Sequence, residues 1–356
     1  MSPAARARLE RLLEAARGIR DPETPLGREA RARLSVSTGL SAAGIELAIS
    51  KCLETHPTEA ELERLAASVE SAPRAHVLLS ANVFTAAHRA IALALAASEQ
   101  VFVRPSRREP EMARLLLRGA PGLFTLVDPL EPEPGDALFA YGSDVTLNEL
   151  RAALAPGVRL HGHGSGFGIL AADAQAVADR ARREELAQAI ALDVALFDQR
   201  GCLSPRGLLL EGNAELAHAL LDALARSFAE LEARVPVGAL APEERAEQRR
   251  QRAALAFAGT ALAAGSGFVA IVPEARALAS LPVGRCFGLV CTENATEAAR
   301  ALAPAITTYG VAGSPELRAR FANALPHARA SAPGRLQCPP LDGPADPRPK
   351  ASRSAA

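Results

Sequence analysis

The 356-residue sequence carries no surplus of either charge: 40 Lys+Arg stand against 40 Asp+Glu. Without excess cations a chain lacks the means to neutralise phosphates, which drives most binding to nucleic acids and anionic membranes. A nucleic-acid partner is therefore not expected, and a small-molecule ligand is. Lysine is nearly missing, with Lys51 and Lys350 the two examples, so an arginine where lysine is usual carries little meaning. Five cysteines, Cys52, Cys202, Cys286, Cys291 and Cys338, are odd in number and lack paired spacing. Neither a disulfide framework nor a zinc motif follows, and no metal is expected. The N-terminal segment has charges every few residues and no apolar core, unlike a secretory signal, which points to the cytoplasm. One stretch, 253–273, has no charge at all, but it is built mainly of Ala, Gly, Ser and Thr and is divided by Gly265-Ser266-Gly267. A bilayer span wants about 20 predominantly apolar residues, so this stretch reads as a helix end followed by a strand, with no transmembrane segment.

What is present suits a large globular chain. Hydrophobic residues make up 49%, and the length favours two domains. The first eighty residues read as helices, with 43–52 and 57–71 the clearest, and Thr58 with Glu61 spaced as a capping box. From Ala75 onward apolar runs alternate with helical segments. HVLLSA (76–81), QVFVRP (100–105), LFTLVD (123–128) and ALFAYG (137–142) read as strands, and 85–98, 109–118 and 144–155 as helices. This pattern predicts a parallel sheet covered on both faces, with ligands at the carboxyl ends of its strands. A glycine-rich link, HGHGSGFGIL (161–170), follows, then a long helix from Ala172 to Ala191 or beyond and a tight FDQRGCLSPR (197–206). LLLEG, FVAIV, CFGLVC and TTYGVAG read as strands of a second α/β unit, with helices over 214–234 and 242–264. The expected organisation is a helical segment and dinucleotide-binding domain over 1–195, a catalytic domain over 196–330 and an extended tail over 331–356.

Several residues can carry chemistry. Gly142-Ser143 ends a strand and opens a helix, where free N–H groups and the helix dipole suit a phosphate, though the full G-x-G-x-x-G fingerprint is missing and a plain turn fits as well. Cys202 lies on a turn between Gly201 and Leu203-Ser204-Pro205, flanked by Arg200 and Arg206. It is either a nucleophile whose thiolate is favoured by nearby positive charge or a small buried hydrophobe. Cys52 and Cys291 fall inside apolar patterns and read as packing residues. Asn82, after the first strand, can donate to an oxyanion or cap the next helix. His161 and His163 read as solvated turn residues and His88 as a surface or packing residue.

Taken together and in order, Asn82, Arg104-Pro105-Ser106, Gly142-Ser143, the link at 161–168, Cys202 and Arg285-Cys286-Phe287-Gly288 resemble the aldehyde dehydrogenase superfamily. More narrowly, GCLSPR around Cys202, SGFGI and GRLQCPPLDGP (334–344) resemble its long-chain acyl-CoA reductase branch. The resemblance implies a Rossmann-type cofactor domain plus a second α/β catalytic domain. It further implies reduction of a fatty acyl-CoA or other acyl thioester to the aldehyde, with NADPH or NADH as cofactor. Carried over residue by residue, it makes Cys202 the nucleophile and Asn82, with the Cys202 backbone N–H, the oxyanion hole. Arg104 and Ser106 would then face the adenosine ribose, Gly142 and Ser143 the pyrophosphate, and Phe287 the nicotinamide. A homo-oligomer and an acyl-transferring partner protein are implied as well. The sequence departs from the superfamily in three ways. The link lacks the carboxylate that hydrolytic members use to activate water, which suits an acyl-enzyme that awaits hydride. Arg285 stands where a ribose-binding glutamate is usual, and the part before Asn82 is short. Those departures also leave room for a degenerate homologue acting as a binding or scaffold subunit, and less readily for a hydrolytic aldehyde dehydrogenase.

Overall fold

The structure, a computed structural model, describes residues 1–341. The chain forms two compact units, Met1–Ser165 together with 338–341, and Gly166–Gln337. The boundary expected near residue 195 lies inside the second unit, at the end of the helix Arg180–Ala195.

In the first unit, hydroxyl caps start the N-terminal helices. Ser2, Thr24, Ser41 and Thr58 each accept the backbone N–H three residues on, opening helices Pro3–Arg20, Pro25–Thr38, Ala42–Cys52 and Glu59–Ala67. Each cap satisfies a donor that helix geometry leaves open, and at Thr58 the Glu61 side chain completes the reciprocal box. A sheet follows, built of β1 (Arg74–Leu78), β2 (Gln100–Arg104), β3 (Thr125–Leu126), β4 (Ala137–Tyr141) and β5 (Arg159–His163). Its order is β3-β2-β1-β4-β5 and every pairing is parallel. The strand order reverses between β1 and β4, which places a crevice outside their carboxyl ends.

The fifth strand corrects the reading of 161–170 as a link. Arg159–His163 pairs along β4, and the imidazoles of His161 and His163 stack on Phe139 and Tyr141 with centroids 4.7 and 4.3 Å apart. Cross-strand ring contacts of this kind stabilise a ladder, so these histidines are strand residues, and only 164–166 connects the sheets.

In the second unit β6 (Phe167–Asp173), β7 (Pro205–Glu211), β8 (Ala261–Ala264), β9 (Gly267–Ile271), β10 (Cys286–Thr292), β11 (Ile306–Ala312) and β12 (Arg329–Ser331) form a sheet of order β12-β11-β6-β7-β10-β9-β8. All pairings are parallel except β8 with β9. Alternation along β6 decides the layers. Ile169 and Ala171 pack under helices Ala275–Ala279, Ala295–Arg300 and Pro315–Ala324, whereas Leu170 and Ala172 pack under Arg180–Ala195 and Ala214–Arg234.

Two boundaries differ from expectation. Ala172 belongs to β6, and the following helix starts at Arg180 behind the Asp179 cap, because the sheet claims the apolar 167–172 run. The helix from Pro242 ends at Phe257, where Gly259 takes φ +74°, and 261–271 folds back as an antiparallel hairpin turned at Gly265, φ +63°. The uncharged stretch 253–273 is thus split, and no helix among the described residues is long and apolar enough to cross a membrane. At the C-terminal end Gly334 and Leu336 donate to the Asp193 carboxylate, at 2.6 and 2.9 Å. Residues 338–341 then rejoin the first unit, where Cys338 Sγ lies 3.4 Å from Cys52 Sγ, Arg89 donates to the Pro340 carbonyl and Leu341 is buried. The rest of the expected tail, 342–356, lies outside the described residues.

Candidate active site

In the first unit the candidate residues collect at one edge. Asn82 follows β1, Arg104 to Ser106 end β2, and Gly142-Ser143 follow β4, so three adjacent parallel strands deliver them to the carboxyl end of the sheet. Asn82 is exposed and does not cap the next helix, whose N-cap is Thr85. Its Oδ1 instead accepts from Arg108 Nη2 at 3.0 Å, which turns the amide NH2 away as a donor. Sequence reasoning missed Arg108; its one local signal is the position just past β2. Arg104 Nε pairs with Asp128 Oδ1 at 2.8 Å, beside the end of β3. Its terminal nitrogens hold no hydrogen bond among the described residues. Ser143 Oγ caps the helix Asp144–Ala153 by accepting Thr146 N–H, and Gly142 N–H goes to the His163 carbonyl. A carboxylate does reach the 164–166 connection: Asp144 Oδ1 accepts Ser165 N–H at 2.9 Å, close enough that a Cβ on Gly164 would lie 2.1 Å from it.

In the second unit Cys202 sits on a corner before β7, at the amino end of the parallel strands. The corner begins where the chain leaves the helix Arg180–Ala195. Phe197, Asp198 and Gln199 take φ of 55°, 48° and 65°, a conformation that costs a residue with a side chain roughly 1–2 kcal/mol. Buried side chains hold it. Gln199 donates through Nε2 to the Pro205 and Cys286 carbonyls (2.9 and 2.7 Å) and accepts Cys286 N–H at Oε1 (2.9 Å). Gly201 and Ser204 close the turn on each other, with Ser204 N–H donating to Gly201 C=O and Gly201 N–H to Ser204 Oγ. Gly168 N–H meets the Ser204 carbonyl, and Thr307 Oγ1 donates to the Cys202 carbonyl. Only glycine fits at 168, since a Cβ there would lie 2.6 Å from the Leu203 carbonyl oxygen.

The cysteines separate by environment. Cys202 is half-buried and not in a disulfide. Cys286 is buried, and burial pushes its thiol up to about 12, so it is no thiolate at neutral pH. Cys291, read from its apolar surroundings as a packing residue, is exposed at the end of β10 and donates to the Gly212 carbonyl. The two arginines beside Cys202 in sequence are engaged elsewhere: Arg200 pairs with Glu244 at 2.7 Å, and Arg206 donates to the Leu281 carbonyl and lies near Cys286.

One expectation is corrected. Phe287 is fully buried in the core, its ring tilted against Phe228 at 6.0 Å, and presents no face to a nicotinamide. Arg285, which stands where a ribose-binding glutamate is usual, is buried, with Nε and Nη2 on Asp198 Oδ1 at 3.1 and 2.8 Å. The adenosine side of a dinucleotide fits better, because Arg104 keeps donors at the sheet edge. His88 is buried, and burial holds its imidazole down to about 4, which makes it a packing residue. No cluster of metal-ligating side chains occurs among the described residues.

The family model for acyl-CoA reductase (LuxC) matches residues 132–332, more than half of the chain. A comparison with curated protein sequences finds no match. Among solved structures, an NAD-dependent aldehyde dehydrogenase from Sinorhizobium meliloti is 20% identical at a TM-score of 0.67, covering 92% of this chain and 74% of that one. A putative aldehyde dehydrogenase from Burkholderia cenocepacia is 17% identical at a TM-score of 0.68, covering 94% and 80%. PnpE in complex with nicotinamide adenine dinucleotide is 14% identical at a TM-score of 0.68, covering 95% and 78%. With the fold of an aldehyde dehydrogenase and a matching sequence from the last two strands of the first sheet through the second, the chain belongs to the acyl-CoA reductase (LuxC) family.

Proposed function

We propose that this oxidoreductase reduces a fatty acyl thioester, an acyl-CoA, to the aldehyde through an acyl-enzyme on Cys202, using NADPH or NADH. The observation that carries the reading is the Cys202 corner: a half-buried thiol on a turn fixed from β6, β11 and the strained 197–199 segment, in a chain whose other core thiol, Cys286, is held protonated. Cys202 thiolate attacks the thioester carbonyl, the new C–S bond forms, and CoA leaves as its thiolate. Covalent capture divides one hard reduction into two easier steps. The Cys202 backbone N–H, on the peptide whose carbonyl accepts from Ser204 to close the turn, is the donor this reading assigns to the developing oxyanion. Asn82, its Oδ1 held by Arg108, offers the amide donor for the same role. When bound, the reduced nicotinamide supplies the hydride. Loss of the aldehyde from the resulting thiohemiacetal then returns the Cys202 thiol. Arg104 and Ser106, with the Gly142-Ser143 turn, are the residues that would hold the nucleotide.

With acyl-CoA supplied and reduced nicotinamide withheld, mass spectrometry is expected to find the acyl group on Cys202. An unmodified Cys202 under these conditions, with aldehyde still formed on addition of NADPH, would remove the mechanism. The burial of Phe287 and the pairing of Arg285 favour a second reading, a scaffold subunit that has lost cofactor binding. Absence of any fluorescence or thermal shift with both NADPH and NADH would establish it over the first.

A further inference from the structure

We propose that the buried Asp198–Arg285 pair is a positioning clamp for the Cys202 corner, so that Arg285 serves the cysteine and not the nucleotide. The non-glycine residues with left-handed backbone among those described are Phe197, Asp198, Gln199 and Arg285. They lie on two segments 87 residues apart that bond to each other. Asp198 Oδ1 takes both forks of Arg285, its Oδ2 accepts Gly238 N–H at 2.9 Å, and its carbonyl accepts Gly284 N–H at 3.2 Å. Arg285 Nη1 donates to the Val235 carbonyl at 2.6 Å. One residue further along each segment, Gln199 and Cys286 exchange two more bonds. The facing segment is itself braced: Gln248 donates to the Val283 and Gly284 carbonyls, and Arg200 ties the same helix through Glu244.

Stability alone does not account for this arrangement. A buried ion pair is commonly matched or bettered by apolar residues of the same volume, and three consecutive left-handed residues oppose folding. Strain of this kind persists where the surroundings over-determine a geometry that function uses. What the pair fixes is the backbone direction four residues before Cys202, and through Gln199 the start of β7, which bounds the turn on its other side. The inference rests on Cys202 being the reactive thiol, and its test reads that sulfur directly.

Trypsin releases residues 201–206 as a peptide whose one cysteine is Cys202, so its alkylation by iodoacetamide can be followed across pH by mass spectrometry in the full chain. Removing a single partner would strand a buried charge and risk unfolding. The double variant Asp198→Asn/Arg285→Met leaves none, and Arg285→Lys keeps the charge while losing the fork. In the double variant the alkylation rate at Cys202 is expected to fall at least tenfold, with its pH midpoint displaced from the parent's, while the melting temperature stays near that of the parent. Arg285→Lys is expected to fall between the two. Rates and midpoints equal to the parent's in both variants would overturn the clamp. A parent that alkylates readily at Cys202 yet forms no acyl adduct there would instead remove the acyl-enzyme reading and leave the clamp standing.

Discussion

The two sheets hold their candidate residues in opposite ways. In the first unit Asn82, Arg104, Ser106 and Gly142-Ser143 lie past the carboxyl ends of β1, β2 and β4, exposed or half-buried, each with one or two polar partners. In the second, Cys202 lies before β7 at the amino ends of the strands, and buried groups from β6, β10 and β11 fix its turn. An edge of loops can accept a ligand that brings its own hydrogen bonds. A nucleophile must keep its direction before the substrate arrives, and the dense bonding at the corner supplies that preorganisation.

The comparison breaks most visibly at the cysteines. Cys202→Ala is expected to lower aldehyde formation at least about 10³-fold, followed as loss of reduced nicotinamide, while Cys286→Ala keeps most of the activity and loses stability. The reverse pattern would place the chemistry on the wrong thiol. At the loop edge, Asn82→Ala is expected to cost about 10²-fold in kcat. Arg108→Ala, which frees the amide to rotate, should cost roughly tenfold or less with KM little changed. Equal turnover in both variants would deny Asn82 its donor role.

Gly168→Ala sharpens the contrast in the other direction. The added Cβ meets the Leu203 carbonyl oxygen at 2.6 Å, so the corner must shift. A loss of roughly 1–3 kcal/mol in a urea melt, with slower alkylation of Cys202, is expected. An effect confined to acid pH concerns His88 in the first unit. Its imidazole is held down to about 4 in the fold against an ordinary 6.5, so the unfolded chain binds the proton first. Stability from this residue is full above pH 6.5 and is lost as pH falls toward 4, by up to roughly 3 kcal/mol. His88→Leu should flatten that part of the pH–stability curve, and an unchanged slope would show that the acid loss comes from other groups.

Much of the first sheet was legible because its strands are continuous apolar runs separated by helices, and because the carboxyl-end rule assigns their termini a use. Thr58 with Glu61 was legible for the same local reason. The strand at Arg159–His163 was not: its pattern is glycine and histidine, and its evidence is ring stacking on Phe139 and Tyr141 across the ladder. The helix end at Phe257 and the start at Arg180 were missed where alanine suits helix and strand alike. At the corner, Cys202 was visible from its neighbours, but what holds it was not. Adjacency in sequence pointed to Arg200 and Arg206, whereas the residues that meet the turn, Gly168, Arg285 and Thr307, come from elsewhere in the chain. Arg285 was read against a family pattern as a lost ligand, and its partner Asp198 could be found only through space.

The return of 338–341 to the first unit has a bearing on synthesis. Met1–Ser165 leaves the ribosome before Cys338, Pro340 and Leu341, which belong to the same unit and of which Cys338 meets Cys52 and Pro340 meets Arg89. The first unit thus stays unfinished until these residues are made, and a nascent chain stopped at residue 330 should expose it to protease more readily than one stopped at 341.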